Sequence, residues 1–316
     1  MNVRALRSDL LLFITALIWG FAFVAQRIGM EDVGPFTFNG ARFALGALVL
    51  LPVVVFTGMR RKGPVQKTAG PGSMLKVGLM AGCLLFAGAS CQQMGLVYTT
   101  AGNAGFITGL YVVLVPLLGL FFSQKTSRGT WIGVVLAASG LYLLSVTNTF
   151  KISYGDFMVF IGAFFWAGHV IVIGRYSPSM DSFRLAFFQY SACAVLSLAT
   201  AAFSESITEE SLRSAAWPIF YGGAISVGIA YTLQIVGQRE APSAHAAILM
   251  SLESVFAALG GWMILSEQLS TRQLAGCSLM LLGMLVSQLW SAGPHPEAAI
   301  GNEGLEVPYD EQAGSS

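Results

Sequence analysis

Ten apolar segments of membrane-crossing length leave this chain little choice of fold. A helix needs roughly 20 apolar residues to cross the hydrocarbon of a bilayer. Runs of about that length lie near 10–28, 36–56, 75–97, 101–122 and 130–146, and again near 157–174, 183–203, 217–236, 244–265 and 274–290. Hydrophobic residues make up 55% and charged residues 10% of the 316, where a soluble domain carries about 25% charge. The expectation is an all-α membrane protein.

The runs are not independent of one another. Gly133 opens a GVVLAASG stretch closing at Gly140, and Gly276 opens a GCSLMLLG stretch closing at Gly283. Reading back from these glycines, Gly95 falls opposite Gly237, Gln92 opposite Gln234, Arg42 opposite Gln189 and Trp19 opposite Trp166. One five-helix unit therefore occurs twice, over 10–147 and 155–290, between a short N-terminal segment 1–9 and a tail 291–316. Because five is odd, the second unit enters the membrane from the opposite face. Ten transmembrane helices in two inverted five-helix repeats are the expected architecture, with a solute site near the midplane between them.

Basic residues set the orientation. Arg4, Arg7, Arg60, Arg61, Lys62, Lys67, Lys76, Lys125, Arg128, Arg175, Arg184 and Arg239 fall on one side, against Arg27, Lys151, Arg213 and Arg272 on the other. The positive-inside bias then places both termini in the cytoplasm of a multi-pass protein of the cell (inner) membrane. The Arg60, Arg61, Lys62 cluster reads as a cytoplasmic loop, and the acidic, Gly/Pro/Ser-rich tail after Ser291 as a disordered cytoplasmic extension. The first run is too long for a secretory signal, carries Trp19 near its centre and lacks a small-x-small cleavage site. Cys83, Cys91, Cys193 and Cys277 all lie in spans without metal or disulfide spacing, and read as small apolar residues.

These features resemble a known family. The paired five-helix units, the tryptophan in the first helix of each, the run Ser251-Leu252-Glu253-Ser254-Val255 and the ending Ile264-Leu265-Ser266-Glu267 before Gly276 are similar to EamA-type members of the drug/metabolite transporter superfamily. The resemblance covers about 10–290. It implies a carrier in which the first four helices of each half surround a central cavity, with the fifth and tenth peripheral. Relatives move amino acids, other small metabolites or toxic compounds, commonly outward. The family often has proline after the glutamate matching Glu253, where this chain has Ser254, which puts a kink there in doubt.

Chemistry is sought where polar groups sit at membrane depth, since burying them is costly unless they find partners or line water. Glu253 lies near the middle of its span and is a candidate for binding a cationic amine or exchanging a proton; pairing with Arg42 is the structural alternative. Arg42, well inside a span, offers a bidentate grip on a carboxylate, with Asn39 one turn earlier and Gln189 at its matched position, or else snorkels to the outer interface. Gln92 and Gln234, at matched positions, are expected to approach a common axis from opposite sides and line a pocket, the alternative being that each amide ties its own helix to a neighbour. Trp19 and Trp166 offer indole faces for stacking, with Gln26 on nearly the same face as Trp19. His169, one turn after Trp166, is a candidate proton relay. Asn103 and His245, at matched helix beginnings, read as caps or gates, and the matched Lys125 and Glu267 as interfacial. Gly78-x3-Gly82, Gly105-x3-Gly109 and Gly129-x3-Gly133 permit close helix contact.

Rival classes are less well served. No G-x4-G-K-[ST] loop supplies an ATP site, and no filter sequence marks a channel. Ser90, Ser251, His169, His245 and Glu253 supply nucleophile and base types for an intramembrane enzyme, but no nucleophile motif frames them. The expectation is a secondary transporter working by alternating access, not an enzyme. Arg42 and Glu253 suit a zwitterion such as an amino acid, and the alternative solute is an amphiphilic or cationic drug-like compound. Expected partners are the small-molecule substrate, membrane lipid and protons or a counter-substrate, with a homodimer left open. No cofactor, metal or nucleic acid is expected.

Overall fold

The computed structural model describes residues 3–60, 71–122, 126–145, 153–266 and 270–290. Lys125, Glu267, Arg61, Lys62, Lys67, Lys151 and the acidic tail lie outside the described residues. The described chain is helical almost throughout: α1 (Val3–Gly29), α2 (Pro35–Arg60), α3 (Pro71–Leu96), α4 (Ala101–Gly109), α5 (Tyr111–Phe121), α6 (Arg128–Ser145) and α7 (Tyr154–Tyr176). A 3₁₀ turn (Ser177–Ser179) leads to α8 (Ser182–Ser204), α9 (Glu209–Ser214), α10 (Ala216–Phe220), a wide-turned π-helical stretch (Tyr221–Tyr231), α11 (Thr232–Gly237), α12 (Ser243–Met250), α13 (Glu253–Leu265) and α14 (Thr271–Trp290).

Among the described residues, eight helical segments are long and apolar enough to cross a membrane: Val3–Gly29, Pro35–Thr57, Gly72–Leu96, Ala101–Phe121, Tyr154–Ser179, Ser182–Ser204, Ala216–Gly237 and Ser243–Leu265. The protein is a multi-pass membrane protein on this ground. The fifth and tenth expected spans are α6 and α14, whose described apolar stretches are shorter. The surface fits the same medium, since Phe56, Phe121, Phe203, Trp217 and Trp262 are exposed and would be a liability in water.

Polar punctuation explains where the helices start. Thr100 Oγ1 accepts from Asn103 N at 3.1 Å and opens α4. Ser153 and Asp156 cap each other at α7, and Asp181 Oδ1 accepts from Arg184 N at 3.0 Å to open α8. Glu205, just past α8, reaches across to α2, where its two carboxylate oxygens accept from Phe36 N (2.9 Å) and Thr37 N (2.7 Å). Each arrangement satisfies amides that a helix start leaves without internal partners.

Three expected spans are not continuous α-helices. The fourth is interrupted at Leu110 and the ninth at Ser251–Leu252. At both interruptions the backbone tightens to three-residue bonds, Leu110 N to Ile107 O (3.2 Å) and Leu252 N to Leu249 O (3.3 Å). Ser251 Oγ also donates to Ile248 O at 2.8 Å, so its hydroxyl competes for a helix carbonyl. The break before Glu253 thus forms without proline. Ser254 instead donates to Gly105 O at 2.6 Å and ties α13 to α4. The eighth span carries the wide turns of Tyr221–Tyr231, whereas α3 is α-helical throughout.

Glycines set the helix contacts. A Cβ at Gly82 would lie 2.9 Å from Gln189 O, so α3 meets α8 backbone to backbone. At Gly20 it would lie 2.8 Å from Glu253 O, which brings α1 against the start of α13. The stretches beginning at Gly133 and Gly276 pack on each other: a Cβ at Gly133 would lie 2.8 Å from Gly283 O, and one at Gly140 2.5 Å from Gly276 O. The helices α6 and α14 therefore run antiparallel in close contact. Without a hydrophobic drive inside lipid, such small-residue seams let dispersion and carbonyl contacts hold helices together.

Candidate functional site

The interrupted fourth and ninth spans converge with α1, α2, α3 and α7 on one cavity. Lining it are Trp19, Ala22, Phe23 and Gln26 from α1, Arg42 from α2, Gln92 from α3, Thr108 and Tyr111 from either side of the Leu110 break, and Trp166, His169 and Val170 from α7. Ser226 and Tyr231 of the wide-turned stretch, Gln234 of α11 and Glu253 of α13 complete it. The space open to water centres is about 30 Å³, room for roughly two waters.

Arg42 does not snorkel. Its side chain is 2% exposed and turned inward, with Nε donating to Asn39 Oδ1 at 3.0 Å. The guanidinium carbon sits 4.9 Å from the Phe43 ring centroid and 5.7 Å from that of Phe38. Gly222 and Gly223 leave room for this course, since a Cβ at Gly222 would lie 3.3 Å from Arg42 Cδ. Its Nη2 has no partner, and neither does Asn39 Nδ2. Glu253 is 3% exposed at the first turn of α13, beside the Tyr111 hydroxyl, with Oε1 unpartnered. The tyrosine hydroxyl lies close to the carboxyl, without a partner in hydrogen-bond geometry. Arg42 and Glu253 form no ion pair within 4 Å among the described residues, so the expected alternative of a mutual pair is not what the structure holds.

The two matched glutamines behave differently. Gln92 Oε1 accepts from Trp166 Nε1 at 3.0 Å and from Thr108 Oγ1 at 3.4 Å, while its Nε2 donates to Gln26 Oε1 at 3.0 Å. Gln234 Nε2 donates to Gln238 Oε1 at 2.9 Å, and Gln238 Nε2 donates in turn to Val170 O at 3.0 Å. Gln234 Oε1 and Trp19 Nε1 are left without partners. Gln189 does not line the cavity; it supports His169, whose Nε2 lies 2.9 Å from Gln189 Oε1. Tyr231 stands at the centre of the aromatic groups, with ring centroids 4.5 Å from Trp19, 6.1 Å from Trp166 and 6.0 Å from Phe43.

Five buried polar atoms on residues that share this cavity are thus unpartnered: Trp19 Nε1, Arg42 Nη2, Tyr111 OH, Gln234 Oε1 and Glu253 Oε1. A buried group left unsatisfied costs about 1–3 kcal/mol, and more when charged. Together they give the cavity wall both donors and acceptors for a polar molecule that enters it.

Two expected residues lie elsewhere. Asn103 is exposed, and the cap of α4 comes from Thr100 instead. His245 does not cap α12 either: it bridges three helices, with Nε2 2.9 Å from Asp9 Oδ1 on α1 and Nδ1 3.1 Å from Ser287 Oγ on α14. Although Asp9, His245 and Ser287 have the order of a hydrolytic triad, Ser287 is wholly buried. The sequence reading missed Tyr111, Thr108, Ser226 and Tyr231. For Tyr111 a signal existed, because it occupies the place in the first unit that Glu253 occupies in the second.

Comparison with known proteins gives this arrangement a context. A family model described as the EamA-like transporter family matches residues 6–146 and again 153–288. An uncharacterized transporter of Archaeoglobus fulgidus is 33% identical over 289 residues, covering 91% of this chain and 88% of its own length. The uncharacterized transporter YoaV of Bacillus subtilis is 21% identical, covering 86% of this chain and 93% of its own. The uncharacterized inner membrane transporter YedA of Escherichia coli is 26% identical over 202 residues, 62% of this chain and 63% of its own. One crystal structure shares the fold with a TM-score of 0.72 at 19% identity, covering 89% of this chain and 96% of that one. With its apolar helices, its buried polar cavity and a family model that matches nearly its whole length, the chain belongs to the EamA-like transporter family.

Proposed function

We propose that the protein is a ten-helix secondary carrier of two inverted repeats that moves a small zwitterionic metabolite, an amino acid or a close relative, outward across the inner membrane by alternating access. The observation that carries this reading is the mixed character of the unpartnered atoms around one cavity. Arg42 Nη2 and Trp19 Nε1 donate, whereas Gln234 Oε1 and Glu253 Oε1 accept. A zwitterion brings a carboxylate for the guanidinium and an ammonium for the carboxyl, and each charge-assisted bond is about twice as strong as a neutral one.

Inversion is supported by contacts that map onto themselves. Exchanging the two units turns the Gly133 contact with Gly283 into that of Gly276 with Gly140, and both are made. Tyr111 and Glu253, at the same place in each unit, meet beside each other, as residues near a relating two-fold axis do. The basic side chains favour cytoplasmic termini. Protons or a counter-solute supply the drive, with Glu253 as the group that changes partner and His169, held by Gln189, as the relay.

A second reading, export of a cationic or amphiphilic compound, is favoured by the aromatic crowding around Tyr231. Proteoliposome uptake of labelled amino acids and organic cations separates the two. Saturable uptake of an amino acid, competed by other zwitterions, is the expected outcome. Uptake of cations alone selects the second reading, and flux no greater than in empty liposomes for the whole panel removes both.

A further inference from the structure

The two units are alike in sequence but not in state, and the difference falls on one pair of side chains. Exchanging the units converts Gln92 and Trp166 into Gln234 and Trp19. In the first pair the amide oxygen accepts from the indole at 3.0 Å. In the second, the corresponding two atoms, Gln234 Oε1 and Trp19 Nε1, are both buried and both unpartnered, on residues lining the same cavity.

The orientation of each amide follows from its neighbours. An indole N–H only donates, so the Gln92 atom facing Trp166 must be its oxygen. The Val170 carbonyl only accepts, which makes Nε2 the Gln238 atom facing it and leaves Gln238 Oε1 to accept from Gln234 Nε2. The Gln234 oxygen is therefore the atom left over.

The backbone carries the same asymmetry. Immediately before Gln234 the chain winds in wide turns over Tyr221–Tyr231, whereas the corresponding part of α3 before Gln92 is α-helical. Wide turns of this kind are rare and change the facing of the residues beyond them. One unit thus presents its glutamine to the indole across the cavity, and the other presents it to Gln238.

We propose that Gln92–Trp166 and Gln234–Trp19 are exchangeable latches of the transport cycle: one amide–indole bond is made in each inward- or outward-facing state, and passage between states breaks one as it makes the other. This rests on the alternating-access reading above. Two mutually exclusive bonds of equal chemistry suit such a cycle, because neither state is then favoured by the latch itself.

Hydrogen exchange at the indole N–H, read by NMR on full-length protein carrying ¹⁵N-labelled tryptophan in lipid nanodiscs, tests the proposal. Trp19→Phe and Trp166→Phe assign the two signals. Wild-type protein should show slow exchange at Trp166 and fast exchange at Trp19. Gln92→Leu should quicken Trp166 and slow Trp19 by about fivefold to tenfold, the effect of one hydrogen bond. Adding Gln234→Leu should return Trp19 to fast exchange. Should Gln92→Leu fail to fold, Trp166→Phe keeps an aromatic ring at the position while removing the N–H donor, and should slow Trp19 in the same direction. A Trp19 rate unchanged in these variants, or slow exchange that survives loss of Gln234, overturns the latch. Uptake by the same variants reconstituted in proteoliposomes keeps the two ideas apart. Flux with an unresponsive Trp19 removes the latch and keeps the carrier, whereas reciprocal exchange without flux removes the carrier and keeps the paired bonds.

Discussion

Arg42→Met abolishes zwitterion uptake while lowering the melting temperature by no more than the loss of its one hydrogen bond to Asn39 would. The guanidinium is buried, holds one hydrogen bond to Asn39 and two ring contacts, and keeps Nη2 unpartnered. A structural arginine at membrane depth would be paired on all sides, because its desolvation is otherwise unrepaid. Removing a partner from a buried charge-assisted bond costs about 2–5 kcal/mol, a loss of roughly thirtyfold or more in uptake below saturation. Methionine keeps most of the side-chain volume between Phe38, Phe43 and Gly222, so packing loss does not confuse the result. Arg42→Lys should recover little, since an ammonium lacks the planar fork. Uptake that survives Arg42→Met selects the amphiphile reading, and a fall in melting temperature together with full transport makes Arg42 structural.

Glu253→Gln uncouples the carrier instead of emptying the site. The side chain stands at the first turn of α13, against the Gly20 contact from α1 and beside Tyr111, with no cation within ion-pair distance among the described residues. Glutamine preserves its shape and its capacity to accept while losing the ability to exchange a proton. With one proton moved per solute, a pH difference of one unit supports accumulation of up to about tenfold. Wild-type protein should approach that ratio in proteoliposomes, and Glu253→Gln should let the solute equilibrate to equal concentrations on both sides. Undiminished accumulation by the variant would take Glu253 out of the coupling step.

Hydropathy made most of the helices legible, because crossing a bilayer demands long uninterrupted apolar runs. It could not reveal the interruptions at Leu110 and Ser251–Leu252, where every residue is as apolar or small as its neighbours and the change lies in backbone bonding. Of the site, Trp19, Arg42, Gln92, Trp166, His169, Gln234 and Glu253 share one cavity, and each was visible as a polar or aromatic group at membrane depth. Tyr231 was not, since its inward facing follows from wide turns that no spacing rule announces. Gln189 and Asn39 stand behind the cavity residues and orient His169 and Arg42. Asn103 misled because the capping hydroxyl belongs to Thr100, three residues earlier. His245 misled because both of its ring nitrogens face other helices.

In the proposed carrier a single cavity between the two units opens to either side in turn and holds the solute. Ser226, small and buried on its wall, is the position at which to measure it. Ser226→Cys would be placed in a background whose other cysteines are replaced by alanine. A membrane-impermeant thiol reagent would then be applied to right-side-out and to inverted vesicles. The carrier predicts labelling from both faces, slowed from both by a saturating transported zwitterion. Labelling from one face alone, or labelling that the solute does not slow, would contradict it.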